Sequence, residues 1–292
     1  MEKCMLCPRK CNIDREKRTG FCGMGTALTA ARASLHFWEE PCIAGYGGTG
    51  TVFFSGCNLR CVYCQNREIS AGGRGREITV TRLREIFDEL IFDGAECIDL
   101  VTPTHFADRV AEALSAEKLP VPVVYNCGGY ESIETLKTLE GLIDVYLPDY
   151  KYADSALAAR LSKAPDYPET ALAAIKEMAR QTGDWTMDED GLLLKGVLVR
   201  HLVLPGFIEN TLDCLDILTE AFTEKNALLS VMSQYTPPPF PLEEPSLNRR
   251  LTQAEYDRVI DYLCLLGRDD AYIQELSSAK EEYTPAFDLT GI

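Results

Sequence analysis

Three cysteines in a fixed spacing constrain this chain more than any other feature. Cys57, Cys61 and Cys64 stand as C-x3-C-x2-C within Ser55-Gly56-Cys57-Asn58-Leu59-Arg60-Cys61-Val62-Tyr63-Cys64-Gln65-Asn66. They follow directly on residues 51–55, a β-branched and apolar run that predicts a strand. A loop at the C-terminal end of a strand is where parallel α/β folds build their sites. Thiolates are soft ligands suited to iron–sulfur clusters, and a cubane ordinarily takes four of them. Three leave one iron open. The same thiols read alternatively as a structural zinc site completed by a remote ligand, or as reduced cysteines of the core.

From Thr51 onward, short apolar or β-branched runs alternate with longer amphipathic stretches, the pattern of repeated βα units. Strands are predicted at 51–55, 97–101, 121–126, 142–147, 196–204 and 227–232. Six parallel strands predict an α/β fold, a partial (β/α)6 barrel, rather than the closed barrel of eight. The helix predicted at 81–92 has apolar residues at 83, 86, 87, 90 and 91, with Thr81 as its capping residue. Further helices are expected at 106–116, 132–138, 168–182, 209–225 and 253–265. Residues 152–190 depart furthest from the alternation, and Trp185-Thr186-Met187-Asp188-Glu189-Asp190-Gly191 reads as an acidic surface loop. The prolines of 237–245 exclude a helix or central strand, which makes that stretch a rigid segment across the barrel end. Residues 1–50 are rich in Cys, Gly and turn formers and read as a cysteine-rich N-terminal segment, with the barrel over 51–292.

A second group of thiols, Cys4, Cys7, Cys11 and Cys22, lies in that N-terminal segment. Four thiolates suffice to close a site for zinc or for an auxiliary [4Fe-4S] cluster, and Cys42 is a possible substitute for one of them. The remaining cysteines, Cys97, Cys127, Cys214 and Cys264, are scattered singly. A net charge of −16 disfavours nucleic acid and anionic lipid as partners. The most apolar stretch, 191–206, is broken by Lys195, Arg200 and His201, so no membrane span is expected, and the N-terminus has no apolar signal region. These features predict a cytoplasmic protein whose thiols stay reduced. Among the histidines, His105 alone is singled out, because it follows the Thr102-Pro103-Thr104 loop; His36 and His201 read as ordinary polar residues.

With its aromatic residue just before the last cysteine, the C-x3-C-x2-C loop resembles that of the radical S-adenosylmethionine (SAM) superfamily. Over nearly its whole length the chain is most similar to the pyruvate formate-lyase activating enzyme group and to uncharacterised relatives with a cysteine-rich N-terminus. The matching blocks are FFSGCNLRCVYCQN, IDLVTPTHF, VVYNCGGYES, DVYLPDYKY, VRHLVLPG and VMSQYTP. The resemblance implies a [4Fe-4S] cluster on Cys57, Cys61 and Cys64 whose open iron chelates SAM, and reductive cleavage of SAM to a 5′-deoxyadenosyl radical for hydrogen abstraction. It places Tyr63 by the adenine through its backbone, Asn126 near the ribose, and Asp149 and Lys151 near the methionyl end. Arg200 falls in the VR-x4-PG block, and Tyr235 ends the block that closes the far side of the barrel. Many family members carry Gly-Gly-Glu after the second strand to hold the SAM amino group; here Thr102 and Thr104 offer hydroxyls and carbonyls instead. An electron donor such as flavodoxin or ferredoxin is implied, and Arg9, Lys10, Arg15, Lys17 and Arg18 form a basic patch for an acidic one. Three functions remain open: activation of a glycyl-radical enzyme, radical SAM chemistry on a small molecule or peptide, and an iron–sulfur or zinc electron-transfer or binding protein.

Overall fold

The computed structural model describes residues 3–268, 270–278 and 284–292. Its frame is one sheet. Strands β1 (Thr29–His36), β2 (Thr49–Phe54), β3 (Arg76–Glu77), β4 (Cys97–Val101), β5 (Val123–Cys127), β6 (Val145–Pro148), β7 (Thr186–Met187), β8 (Leu193–Leu202), β9 (Leu228–Met232) and β10 (Tyr272–Ile273) form it, in the spatial order β10-β9-β8-β6-β5-β4-β2-β1-β3 with β7 off this path, paired to β8. The path from β2 through β4, β5, β6, β8 and β9 to β10 is parallel throughout. Strand β1 runs antiparallel to β2, and β3 antiparallel to β1. The six predicted strands are therefore β2, β4, β5, β6, β8 and β9. Among the described residues the sheet ends at β10 and β3, and the fold is the expected α/β partial barrel.

Helices α1 (Pro41–Ala44), α2 (Arg67–Ser70), α3 (Val80–Phe92), α4 (Ala107–Ser115), α5 (Ile133–Thr138), α6 (Ser155–Ser162), α7 (Tyr167–Thr182), α8 (Ile208–Ala221) and α9 (Gln253–Leu265) fill the connections. Strand β4 shows how the sequence sorts its faces. Ile98 and Leu100 join Leu83, Ile86, Phe87 and Leu90 of α3 in the helix-side core, while Cys97 packs on the opposite face with Ile43, Val124, Val145 and Leu198. The period of two in a strand meets the period near four in a helix, and each such side chain contributes roughly 1.5–3 kcal/mol by its burial.

Several elements differ from expectation. Thr79 rather than Thr81 caps α3, its side chain accepting from the Arg82 amide at 3.0 Å; Val80 already has helical geometry, so Thr81 lies inside the first turn. Residues 1–50 contain β1 as well as α1. Strand β1 hid in the sequence because its register shifts between Ala30 and Arg32, which breaks the alternation, and because its alanines have little strand preference. Helix α6 within 152–190 was not anticipated, and the acidic surface loop begins as strand β7 paired to β8. Cys42 lies apart from the N-terminal thiols, buried in α1 against the sheet. Among the described residues no helix is long and apolar enough to cross a membrane.

Candidate active site

The loop after β2 reverses through two left-handed residues, Gly56 (φ 86°) and Arg60 (φ 52°). Gly56 also allows close approach: a Cβ there would lie 2.5 Å from Cγ of Met24 and 2.8 Å from the Cys22 carbonyl. The turn delivers Cys57, Cys61 and Cys64 into one cavity of about 240 Å³ among the C-terminal ends of the parallel strands. Each sulfur accepts a hydrogen bond. Leu59 N donates to Cys57 Sγ at 3.3 Å, Ser162 Oγ to Cys61 Sγ at 3.0 Å, and Ser70 Oγ to Cys64 Sγ at 3.4 Å. Burial pushes the Cys57 thiol up to about 12 and raises Cys64 as well. Such thiols stay protonated unless a metal takes the proton's place. Soft donors sharing a cavity, each already supported by a donor to sulfur, fit a cluster with three thiolate ligands. Among the described residues no three His, Cys, Asp or Glu side chains gather closely enough to hold a single metal ion.

Opposite the cysteines lies a charged set. Arg200, on β8, donates from Nε to Asp149 Oδ1 at 2.9 Å, from one terminal nitrogen to Glu39 Oε1 at 2.8 Å and from the other to Asn126 Oδ1 at 2.7 Å. Lys151 pairs with the other oxygen of Asp149, and Asn126 Nδ2 donates to Glu39 Oε2 at 2.9 Å. Burial opposes ionisation of Asp149, but the charges of Arg200 and Lys151 prevail and hold it below the usual carboxylate range. Burial likewise opposes the charge on Lys151, and Asp149 keeps it above the ordinary lysine value. Behind this set, burial and the charge of Glu39 push Glu40 up to about 7; Ser230 Oγ donates to its Oε1 at 2.9 Å.

The structure brings together most of the residues singled out in the sequence. Cys57, Cys61, Tyr63, Cys64, Thr102, Asn126, Asp149, Lys151, Arg200 and Tyr235 line the cavity. Thr102 has φ 59°, a left-handed conformation that a β-branched residue adopts only under strain and a glycine adopts freely. Thr104 is turned away, buried with its hydroxyl donating to Glu131 Oε1 at 2.7 Å. His105 is also withdrawn, its Nε2 2.6 Å from the Ser55 carbonyl, and burial lowers it to about 4. His36, read as ordinary, lines the cavity.

Residues that the sequence did not disclose include Glu39, brought in by the turn before α1, and Ser162, at the end of α6. Ser162 also closes a chain in which the hydroxyls of Tyr63 and Tyr152 lie 2.8 Å apart and Tyr152 lies 2.7 Å from Ser162 Oγ. The N-terminal basic patch is partly spent inward. Arg9 donates to the carbonyls of Asn58 (2.7 Å), Ser162 (2.9 Å) and Lys163, while Arg15 is buried and donates to Gly25. Lys17 pairs with Asp14 at 3.1 Å.

A strand-borne three-cysteine loop facing a charged cavity in a partial α/β barrel defines a class. The radical SAM superfamily matches residues 51–212, more than half of the chain, and the chain belongs to that superfamily. Membership implies an enzyme that uses a [4Fe-4S] cluster and SAM. An uncharacterized protein of Methanocaldococcus jannaschii is 29% identical over 279 residues, covering 89% of this chain and 74% of that protein. Among solved structures, Streptococcus suis SuiB bound to its precursor peptide SuiA superposes with a TM-score of 0.51 at 13% identity, over 77% of this chain and 48% of SuiB. SuiB bound to SAM superposes at 0.50 with 16% identity, over 79% and 51%. These structural likenesses concern the fold, and the chain spans about half the length of SuiB.

Proposed function

We propose that this protein is a radical SAM enzyme that abstracts hydrogen from the backbone of a partner protein, as an activase of a glycyl-radical enzyme. The observation that carries the reading is the exposed apolar rim beside the one cavity that gathers the three thiols and the charged set. Phe37 and Trp38, 54% and 55% exposed beside His36 and Glu39, offer an apolar rim for such a partner. The blocks shared with the pyruvate formate-lyase activating group support the same reading.

A bound [4Fe-4S] cluster would supply one-electron reduction of SAM, the chemistry of this superfamily. The chain's own residues bind and orient. Cys57, Cys61 and Cys64 hold the cluster, and Leu59 N, Ser162 and Ser70 donate to their sulfurs. Tyr63 would serve the adenine through its backbone, and Asn126, held by Arg200 and Glu39, the ribose. Asp149 and Lys151 would serve the methionyl end, with Arg200 keeping Asp149 ionised. Thr102 would offer its carbonyl and hydroxyl to the ammonium, whereas Thr104 bonds Glu131 outside the cavity. Phe54, Leu202 and Met232 help exclude water. The electron comes from a flavodoxin or ferredoxin, for which Lys10 and Arg18 remain exposed on the N-terminal segment.

Incubating the reduced enzyme and SAM with a glycyl-radical enzyme of the same organism should produce the doublet electron paramagnetic resonance (EPR) signal of a glycyl radical. Release of 5′-deoxyadenosine without that signal would retain SAM cleavage and remove the activase reading in favour of a small molecule or another peptide.

A further inference from the structure

The N-terminal thiols form a second constellation outside the cavity. Residues 3–27 contain neither helix nor strand, and of their side chains only Cys7, Arg15 and Cys22 are buried. A stretch of that length without regular structure or an apolar core of its own requires some other staple. Disulfides do not provide it, because Cys4, Cys7, Cys11 and Cys22 are all free thiols.

The backbone nevertheless folds around them. Cys4 N donates to the Ile13 carbonyl at 2.9 Å and Asn12 N to the Cys4 carbonyl at 3.0 Å, while Lys10 N closes a turn on the Cys7 carbonyl at 3.0 Å. Lys10 (φ 41°) and Asn12 (φ 53°) are left-handed, the local cost of winding the chain about its cysteines. Gly20 lies between two of the sulfurs. A Cβ at that position would stand 3.4 Å from Cys11 Sγ and 3.5 Å from Cys22 Sγ, so both sulfurs flank the same point. Phe21 N donates to Cys11 Sγ at 3.3 Å, the same length as the Leu59 amide contact to Cys57 in the cavity loop.

The spacing distinguishes two kinds of metal site. Around one zinc ion, with Zn–S near 2.3 Å, thiolates stand only about 3.8 Å apart. Among the described residues no three ligating side chains gather in that way, neither here nor in the cavity loop. In a cubane each thiolate binds a different iron, which spreads the sulfurs further apart. We propose that Cys4, Cys7, Cys11 and Cys22 hold a second, polynuclear iron–sulfur cluster, of the [4Fe-4S] type, rather than zinc. Four thiols lose their protons as four Fe–S bonds form, and with every iron ligated the site has no position for SAM. It adjoins the cavity loop directly, since Cys57 N donates to the Cys22 carbonyl at 3.3 Å.

The test is metal and sulfide analysis of anaerobically reconstituted full-length chains. Wild type should hold about eight iron and eight sulfide. The triple variant Cys57→Ala/Cys61→Ala/Cys64→Ala should keep about four of each, with a reducible EPR-active cluster, whether or not the wild type cleaves SAM. One zinc per chain in the folded triple variant, or a folded triple variant without metal, would overturn the proposal. Should that variant not fold, Cys4→Ser/Cys7→Ser in the wild-type background decides: iron falling by half supports the proposal, and unchanged iron refutes it.

Discussion

The two cysteine groups touch, yet they stand in opposite relations to the fold. Cys57, Cys61 and Cys64 ride on a loop whose ends are fixed by β2 and α2, and their sulfurs receive donors from distant elements such as Ser162. Cys4, Cys7, Cys11 and Cys22 lie in a segment that itself forms no strand or helix. In the first group the fold positions the thiols; in the second, the proposed cluster would help to position the segment. Arg9 joins them, spanning the carbonyls of Asn58, Ser162 and Lys163 with its guanidinium over the ring of Phe21 at 3.9 Å. The lesson is that a ligand set on a strand end is placed by the sheet, whereas one on an irregular segment depends on turns and on side-chain contacts to the barrel.

That contrast can be broken in four ways, taken from the largest effect to the smallest. Replacing Cys4 and Cys7 with Ser should speed tryptic cleavage after Lys10 or Arg18 on the order of 100-fold, while the barrel's unfolding midpoint hardly moves. Unchanged protection would mean that contacts other than metal order the segment. Arg9→Ala should cost about 2 kcal/mol in denaturant unfolding through three lost charge-assisted bonds, and Arg9→Lys should restore little of it because an ammonium cannot make the fork.

Glu131 sits in the seat shared by both groups, between Tyr130, whose carbonyl accepts from Asn58, and Thr135, whose hydroxyl donates to the Leu6 carbonyl. Burial pushes its carboxyl up to about 8 although Thr104 and Tyr125 donate to it. The folded protein thus keeps a proton that the unfolded chain has released, so stability is full below the ordinary glutamate value and declines as pH rises toward 8. Glu131→Gln should flatten that decline, by about 1.4 kcal/mol per pH unit at most, in urea titrations between pH 5 and 8. Parallel curves for the two proteins would show that Glu131 is ionised. Ser162→Ala, the mildest change, removes a donor to Cys61 Sγ and should lower the potential of the cavity cluster in a redox titration without changing its iron content.

Much of this architecture was legible in the sequence. Strand β4 and helix α9 fall on their predicted residues because their patterns are uninterrupted and Thr252 with Glu255 forms a capping box. The three cavity cysteines announced themselves by local spacing. Strand β1 did not, since its bulge spoils the alternation. Glu39 lies 161 residues from Arg200 and Ser162 lies 101 residues from Cys61, so neither contact leaves a local trace. Thr104 and His105 show the reverse error: proximity in sequence to the cavity loop said nothing about which way a side chain turns, and both are drawn into the protein by partners, Glu131 and the Ser55 carbonyl.

The central claim is that the cavity loop supports reductive cleavage of SAM. Chromatography for 5′-deoxyadenosine, after anaerobic reconstitution and reduction with SAM present, tests it on wild type beside Cys61→Ala. Product from wild type alone is the predicted result. A wild-type protein that carries its full complement of iron and is reduced, yet releases no more 5′-deoxyadenosine than Cys61→Ala, would contradict it.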